Sequence, residues 1–149
     1  MERILDSLGN LPRKTFAAGE IIVEEGQPKG DVLILEQGEV EILKQDIQIN
    51  TVDLPGSIFG EISVLLDRPH TATVKALRPC SFYLVENGLE FFMARPEVHL
   101  HLTKLLARRL NGVTNYLVDL KNQFKEQEDH LGMVDDVLES LLHQQSEND

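Results

Sequence analysis

Between residues 59 and 74, Gly60, Glu61, Ile62, Ser63, Pro69, His70, Thr71 and Thr73 follow one another in an order that could hold a charged small molecule. A glycine lets backbone approach a ligand, and a short apolar helical turn after it offers first-turn amides to an anion. Glu61 adds a carboxylate beside that anion. A carboxylate repels a phosphate ester unless it accepts hydrogen bonds from a sugar hydroxyl on the same ligand, so the combination points to a nucleotide. Pro69 closes the turn, and Thr71 and Thr73 bring hydroxyls to the start of a strand expected over residues 71–76.

The elements that must position these residues are mostly strands. Residues 21–24, 32–37, 39–44, 48–52, 71–76 and 81–85 are short, rich in β-formers and punctuated by glycine or proline, as an antiparallel roll requires. Ile4, Leu5 and Leu8 stand at helical spacing before Gly9 and Pro12, which predicts a short N-terminal helix. A further helix is expected over residues 89–94, capped by Asn87 and separated by Pro96 from the next. The fold class is therefore mainly β with flanking helices: a jelly-roll-like antiparallel β-roll followed by a long C-terminal helix. The expected division is a helical segment 1–12, the roll 13–95, a long helix 96–144 and a disordered tail 145–149.

With these residues in view, segment 59–74 resembles the phosphate-binding cassette of cyclic-nucleotide-binding domains. That is the family of the bacterial catabolite activator and of the regulatory subunits of cyclic-nucleotide-dependent kinases. The resemblance extends to Phe16, Gly19, Glu20, Glu25 and Gly26 as its opening turns, to Gly38 in its central hairpin, to Leu54-Pro55-Gly56-Ser57 leading into the cassette, and to Ala107-Arg108-Arg109-Leu110 at its long helix. It covers roughly residues 15–110. It implies a cyclic mononucleotide, cyclic AMP or cyclic GMP, seated on Gly60, the amides of Ile62 and Ser63, and Thr71. Glu61 would hold the ribose 2′-hydroxyl and His70 would lie near the phosphate. In relatives the long helix helps to cap the purine, and Thr114 is the best-placed residue here for that contact, ahead of Asn111 and Asn115.

One position departs from the pattern. The family usually places an arginine after the cassette proline, and this chain has His70. A charge-assisted contact to an anion contributes about 1.5–3 kcal/mol, so losing it weakens binding roughly ten- to a hundredfold. Imidazole, with a pKa of about 6.5, is mostly neutral at pH 7, although an adjacent phosphate favours the cation. Binding that strengthens as pH falls is the expected signature. Arg68 is the alternative cation, its plainer reading being a solvated loop residue.

The second informative region is the C-terminal third. Leu110, Leu117, Phe124, Leu131 and Leu138 recur every seven residues, with Val113, Leu120, Gln127, Val134 and Leu141 interleaved, and Gln127 alone among them is polar. A small roll cannot cover a helix of roughly 70 Å. A second chain is the expected cover, as a coiled-coil homodimer through Leu110, Val113, Leu117, Leu120, Phe124, Leu131, Val134, Leu138 and Leu141. Gly132 is the expected weak point of that helix, at a cost of about 1 kcal/mol relative to alanine. A break there would send the segment beyond it back into a bundle.

Composition narrows the function classes. The 149 residues carry a net charge of −11, which opposes DNA binding. From residue 120 onward two basic residues, Lys121 and Lys125, face eight acidic ones, and no DNA-binding domain is expected after the long helix. Lys104, Arg108 and Arg109 read as a solvated helix face. Cys80, the single cysteine, excludes an intramolecular disulfide and fits a reducing compartment, so a cytoplasmic protein is expected, with no signal peptide or membrane span. Metal-dependent enzymes on β-rolls need clustered His, Asp or Glu ligands. Here the roll has only His70, and His99 and His101 point to different faces of a helix. No metal and no catalysis are expected. The expected function is a non-enzymatic regulatory module that passes a nucleotide signal through a dimeric helix to a protein effector. The alternatives are a dimeric scaffold that has lost its ligand and a binder of another anion or a cyclic dinucleotide.

Overall fold

The computed structural model describes residues 2–28, 30–125 and 128–147. Two four-stranded antiparallel sheets form the roll. One has the order β1 (Arg13–Phe16), β8 (Cys80–Val85), β3 (Val32–Gln37), β6 (Ile58–Phe59). The other has the order β2 (Ile21–Val23), β7 (Thr73–Ala76), β4 (Val40–Lys44), β5 (Ile47–Val52). Alternation decides what faces inward: Leu33 and Leu35 of β3, Phe82 of β8, Val40 of β4 and Val74 of β7 join one buried cluster between the sheets. Phe82 is its centre, with Phe16 and Phe59 edge-on at 5.7 Å and 6.0 Å between ring centroids.

Strand β3 is buried on both faces, which is why it reads as a continuous apolar run rather than an alternation. Its outer residues Val32 and Ile34 are fully buried, and Val32 is met by the start of a helix. Gly88, which opens α3 (Gly88–Ala94), lies so close to β3 that an added Cβ would stand 2.6 Å from Val32 Cγ2. Only glycine allows that approach. Helix α1 (Glu2–Ser7) is tied in by the Arg95 guanidinium, which donates to Ser7 O at 2.8 Å, and by Leu8, which is fully buried.

Two strands were not legible. β1 buries only Phe16 of its four residues, and β6 is two residues long, so neither carries a pattern above its surroundings. β5 begins one residue earlier than expected because Gln45 and Asp46, both at positive φ, make a two-residue hairpin loop, with Lys44 paired to Ile47. Asn87 precedes α3 as expected but makes no side-chain capping bond.

The single helix expected over 96–144 is instead two: α4 (Pro96–Gln123) and α5 (Glu128–Glu147). Lys121, in the last turn of α4, is favourable to the helix end it occupies. Gly132 lies within α5, so the break does not fall there. Residues 121 and 135 would be about 21 Å apart on one straight helix, yet Lys121 Nζ pairs with the Asp135 carboxylate, so α5 turns back. α5 also runs past residue 144 to Glu147; Gln127, the side chain of Leu131 and the last two residues of the expected tail lie outside the described residues. The chain divides into two compact units, 1–102 and 103–149.

Candidate functional site

β6 delivers the chain to Gly60, whose φ of +85° is left-handed and whose backbone is pressed against the neighbouring loop. A Cβ there would meet Asp31 O at 2.8 Å, so the position demands glycine on two grounds. Helix α2 (Glu61–Leu66) follows and closes on itself. Ser63 Oγ donates to Arg68 O at 2.7 Å, while Arg68 N and the Asp67 amide both return to Ser63 O. Ser63 is thus spent, through hydroxyl and carbonyl, on shaping the turn, and what it can offer an anion is its amide. Glu61 is 3% exposed, an uncommon burial for a carboxylate, and Ile62 points outward.

His70 is bracketed by backbone on both sides. Its N–H donates to Gln27 O at 3.0 Å and its carbonyl accepts from Gly26 N at 2.8 Å. The ring stands close to two glycines: Cβ atoms built on Gly60 and Gly30 would lie 3.6 Å from Cε1 and 4.0 Å from Nε2. The half-buried ring has its pKa lowered by desolvation, so without a ligand the neutral imidazole is favoured. Arg68 is exposed and lies in the loop, matching its plainer reading.

The cassette's exit is held by a knot of polar contacts between segments far apart in the chain. Glu25 N donates to Thr73 Oγ1 at 3.0 Å, and Glu25 Oε1 accepts from Gln45 N at 2.9 Å. Lys44 Nζ donates to Thr71 O at 2.6 Å and lies 3.3 Å from the Glu25 carboxylate. The Gln45 amide, ahead of Lys44, holds the Glu25 pKa below its ordinary value. Three segments distant in sequence, the loop around Glu25, the β4–β5 turn and the start of β7, therefore fix Thr71 and His70. The flagged glycine at 26 marked the loop, but nothing in one sequence links Glu25 to Lys44.

Gly60, Glu61, Ile62, Ser63, His70 and Thr71 thus belong to one continuous feature of the first unit. Thr114 belongs to the second unit, where its hydroxyl donates to Leu110 O at 2.9 Å. Among the described residues no group of three or more His, Cys, Asp or Glu is gathered to hold a metal ion. No described helix is long and apolar enough to cross a membrane. Cys80 is buried, its thiol donating to the Glu39 and Arg78 carbonyls, and desolvation raises its pKa away from reactivity.

Residues 13–89 match the family model described as cyclic nucleotide-binding domain. A cAMP-dependent protein kinase regulatory subunit of Yarrowia lipolytica is 34% identical over 79 residues, 53% of this chain and 21% of its own. A CRP-like cAMP-activated global transcriptional regulator of Mycobacterium tuberculosis is 32% identical over 113 residues, 70% of this chain and 50% of its own. The chain spans half or less of the length of these two relatives. The solved Thermus thermophilus catabolite activator protein superposes with a TM-score of 0.66 at 24% identity, over 80% of this chain and 59% of that one, a likeness of fold.

Proposed function

Because the chain belongs to the cyclic nucleotide-binding domain family, we propose that it is a non-enzymatic regulatory module that binds a cyclic mononucleotide on the cassette and passes the signal to a protein effector. The ligand is cyclic AMP ahead of cyclic GMP, since both relatives named above carry cyclic AMP in their descriptions. Gly60 with the amides of Ile62 and Ser63 receives the phosphate, Glu61 accepts the ribose 2′-hydroxyl, and Thr71 and His70 complete the anion contact. The protein acts in the cytoplasm.

The observation that carries this reading is the shaped turn. Gly60 is held at positive φ against Asp31, Glu61 is buried beside it, and His70 is fastened by its own backbone to the loop opposite. Such preorganisation lowers the ordering cost of binding. The supporting case for an assembly is the helical unit, where Leu110, Val113, Tyr116 and Val118 of α4 and Met133, Val137 and Leu142 of α5 are exposed. We assign the stripe Leu110, Val113, Leu117 and Leu120 of α4, with Phe124 just beyond its end, to a homodimer contact, with Val134, Leu138 and Leu141 of α5 completing a bundle rather than a straight stalk.

A second reading is favoured by one feature, the neutral His70 where the family usually has a cation. It makes the chain a dimeric scaffold that keeps the fold without the ligand. Isothermal titration with cyclic AMP and cyclic GMP separates the two. Saturable heat that is lost in a folded Glu61→Ala variant supports the nucleotide module. No heat with either nucleotide, from protein shown by circular dichroism to be folded, moves the function to the scaffold.

A further inference from the structure

His101 is buried, at 9% exposure, and takes no part in the site described above. Its Nε2 lies 2.8 Å from Gly56 O. Because a carbonyl can only accept, the ring must carry its proton on Nε2, whether neutral or cationic. Gly56 is buried as well, at φ +93°, in the turn that immediately precedes β6 and Gly60. Its N–H donates to Leu35 O at 2.8 Å, and Ser57 O accepts from Leu35 N at 2.8 Å, so the turn is stitched to the centre of β3. Ser57 is itself 2% exposed, with both Oγ and N bonded to Leu54 O. One residue, Gly56, is thereby gripped from two sides, by β3 through its N–H and by the base of α4 through its carbonyl.

The burial pattern shows why the ring cannot avoid this role. Val98 and Leu102, either side of His101 on α4, are 0% and 2% exposed, so the face that carries the histidine is the face pressed into the first unit. A buried carbonyl left without a donor is costly, and the Gly56 carbonyl, with only four residues between it and Glu61, has His101 as its donor. We propose that His101 is a positioning residue: it fixes the turn 54–57, and through β6 the height of Gly60, relative to the first turns of α4. A movement of residues 96–102 is then felt at the cassette glycine, and occupancy of the cassette at α4. The second half of that statement rests on the proposed nucleotide site; the first half does not.

The test uses the full chain and compares His101→Phe, which keeps bulk and removes the donor, with His101→Gln, whose amide can donate to the same carbonyl. Amide hydrogen exchange is measured first without nucleotide. The expected result is a rise of about tenfold in exchange over residues 55–60 in His101→Phe, the scale of one lost hydrogen bond, with strand β4 unchanged and His101→Gln near the parent. Unchanged exchange over 55–60, or an equal rise in every segment, overturns the positioning role. If His101→Phe does not fold, His101→Gln alone decides: parent-like exchange over 55–60 supports the role, and exchange raised there overturns the donor argument. With cyclic AMP added, protection gained over residues 57–63 should extend to 97–102 in the parent and stop short in His101→Phe. A parent that binds no nucleotide counts against the proposed function while leaving the nucleotide-free comparison to decide on His101.

Discussion

The β-roll and the helical unit solve the burial problem in opposite ways. In the roll, the inward-facing Leu33 and Leu35 of β3, Phe82 of β8 and Val40 of β4 are buried by the same chain, and Phe82, Leu35 and Val40 are 0% exposed. In the helical unit, Val113 is 51% exposed, Tyr116 63% and Met133 68%, although the sequence there is as periodic as any in the molecule. The lesson is that periodicity reports a face that wants cover, and only topology says whether the chain supplies it. The roll closes a core between its sheets while Ile21, Ile47 and Ile49 stay exposed outside it; the helices leave apolar side chains exposed along their faces.

The sharpest way to break this contrast is to hollow the roll. Phe82→Ala removes the ring that Phe16 and Phe59 both meet edge-on, and the expected loss is about 3–5 kcal/mol in chemical denaturation. A loss below about 1 kcal/mol would mean that the two sheets are not held by this cluster. Next in size is Gly60→Ala. It strains a left-handed position and drives a Cβ into Asp31 O, with an expected cost of about 1–3 kcal/mol and loss of nucleotide binding.

A smaller effect is expected from the polar ladder on the roll's outer face. Glu36 accepts from Ser81 Oγ at 2.6 Å, from Arg13 Nε at 2.9 Å and from Tyr83 Oη at 3.0 Å, and the Ser81 bond, ahead of Arg13 and Tyr83, lowers its pKa. A carboxyl whose folded pKa is depressed stabilises above its unfolded value, about pH 4.3, and loses that contribution as pH falls through the folded value. Glu36→Gln should therefore be less stable than the parent at pH 7 and should lose less stability than the parent on acidification below about pH 4. Parallel pH profiles for the two would contradict it. The smallest effect on the roll is expected from the helices: Leu117→Glu with Leu120→Glu should shift its denaturation by less than about 0.5 kcal/mol while converting a dimer to monomer in sedimentation. A monomeric parent would remove the second copy from the account.

How far the sequence could be read follows the same divide. Strand β3 was legible to the residue because four buried apolar side chains in a row leave no other choice, and the cassette was legible because its glycine, acid and proline fall within a few residues of one another. β6 was not, since two residues hold no period. The knot of Glu25, Lys44 and Thr71 and the contact of His101 with Gly56 were also hidden, since each joins residues 19 or more apart in sequence. In the helices the heptad stripe was visible but its continuity was overstated. The break falls after α4, which carries Lys121 in its last turn, and not at Gly132, which lies within α5.

The central claim is that the cassette works with histidine in the arginine's place. Desolvation keeps unliganded His70 neutral, and a bound phosphate must raise its pKa again, so binding takes up a proton and strengthens as pH falls through the bound-state value. The direct measurement is titration with cyclic AMP at pH 6 and pH 8, for the parent and for His70→Arg. The account predicts tighter binding at pH 6 in the parent, and in His70→Arg an affinity that no longer depends on pH and exceeds the parent's at pH 8 by roughly ten- to a hundredfold. Equal parent affinity at both pH values, or no binding even with arginine restored, would contradict it.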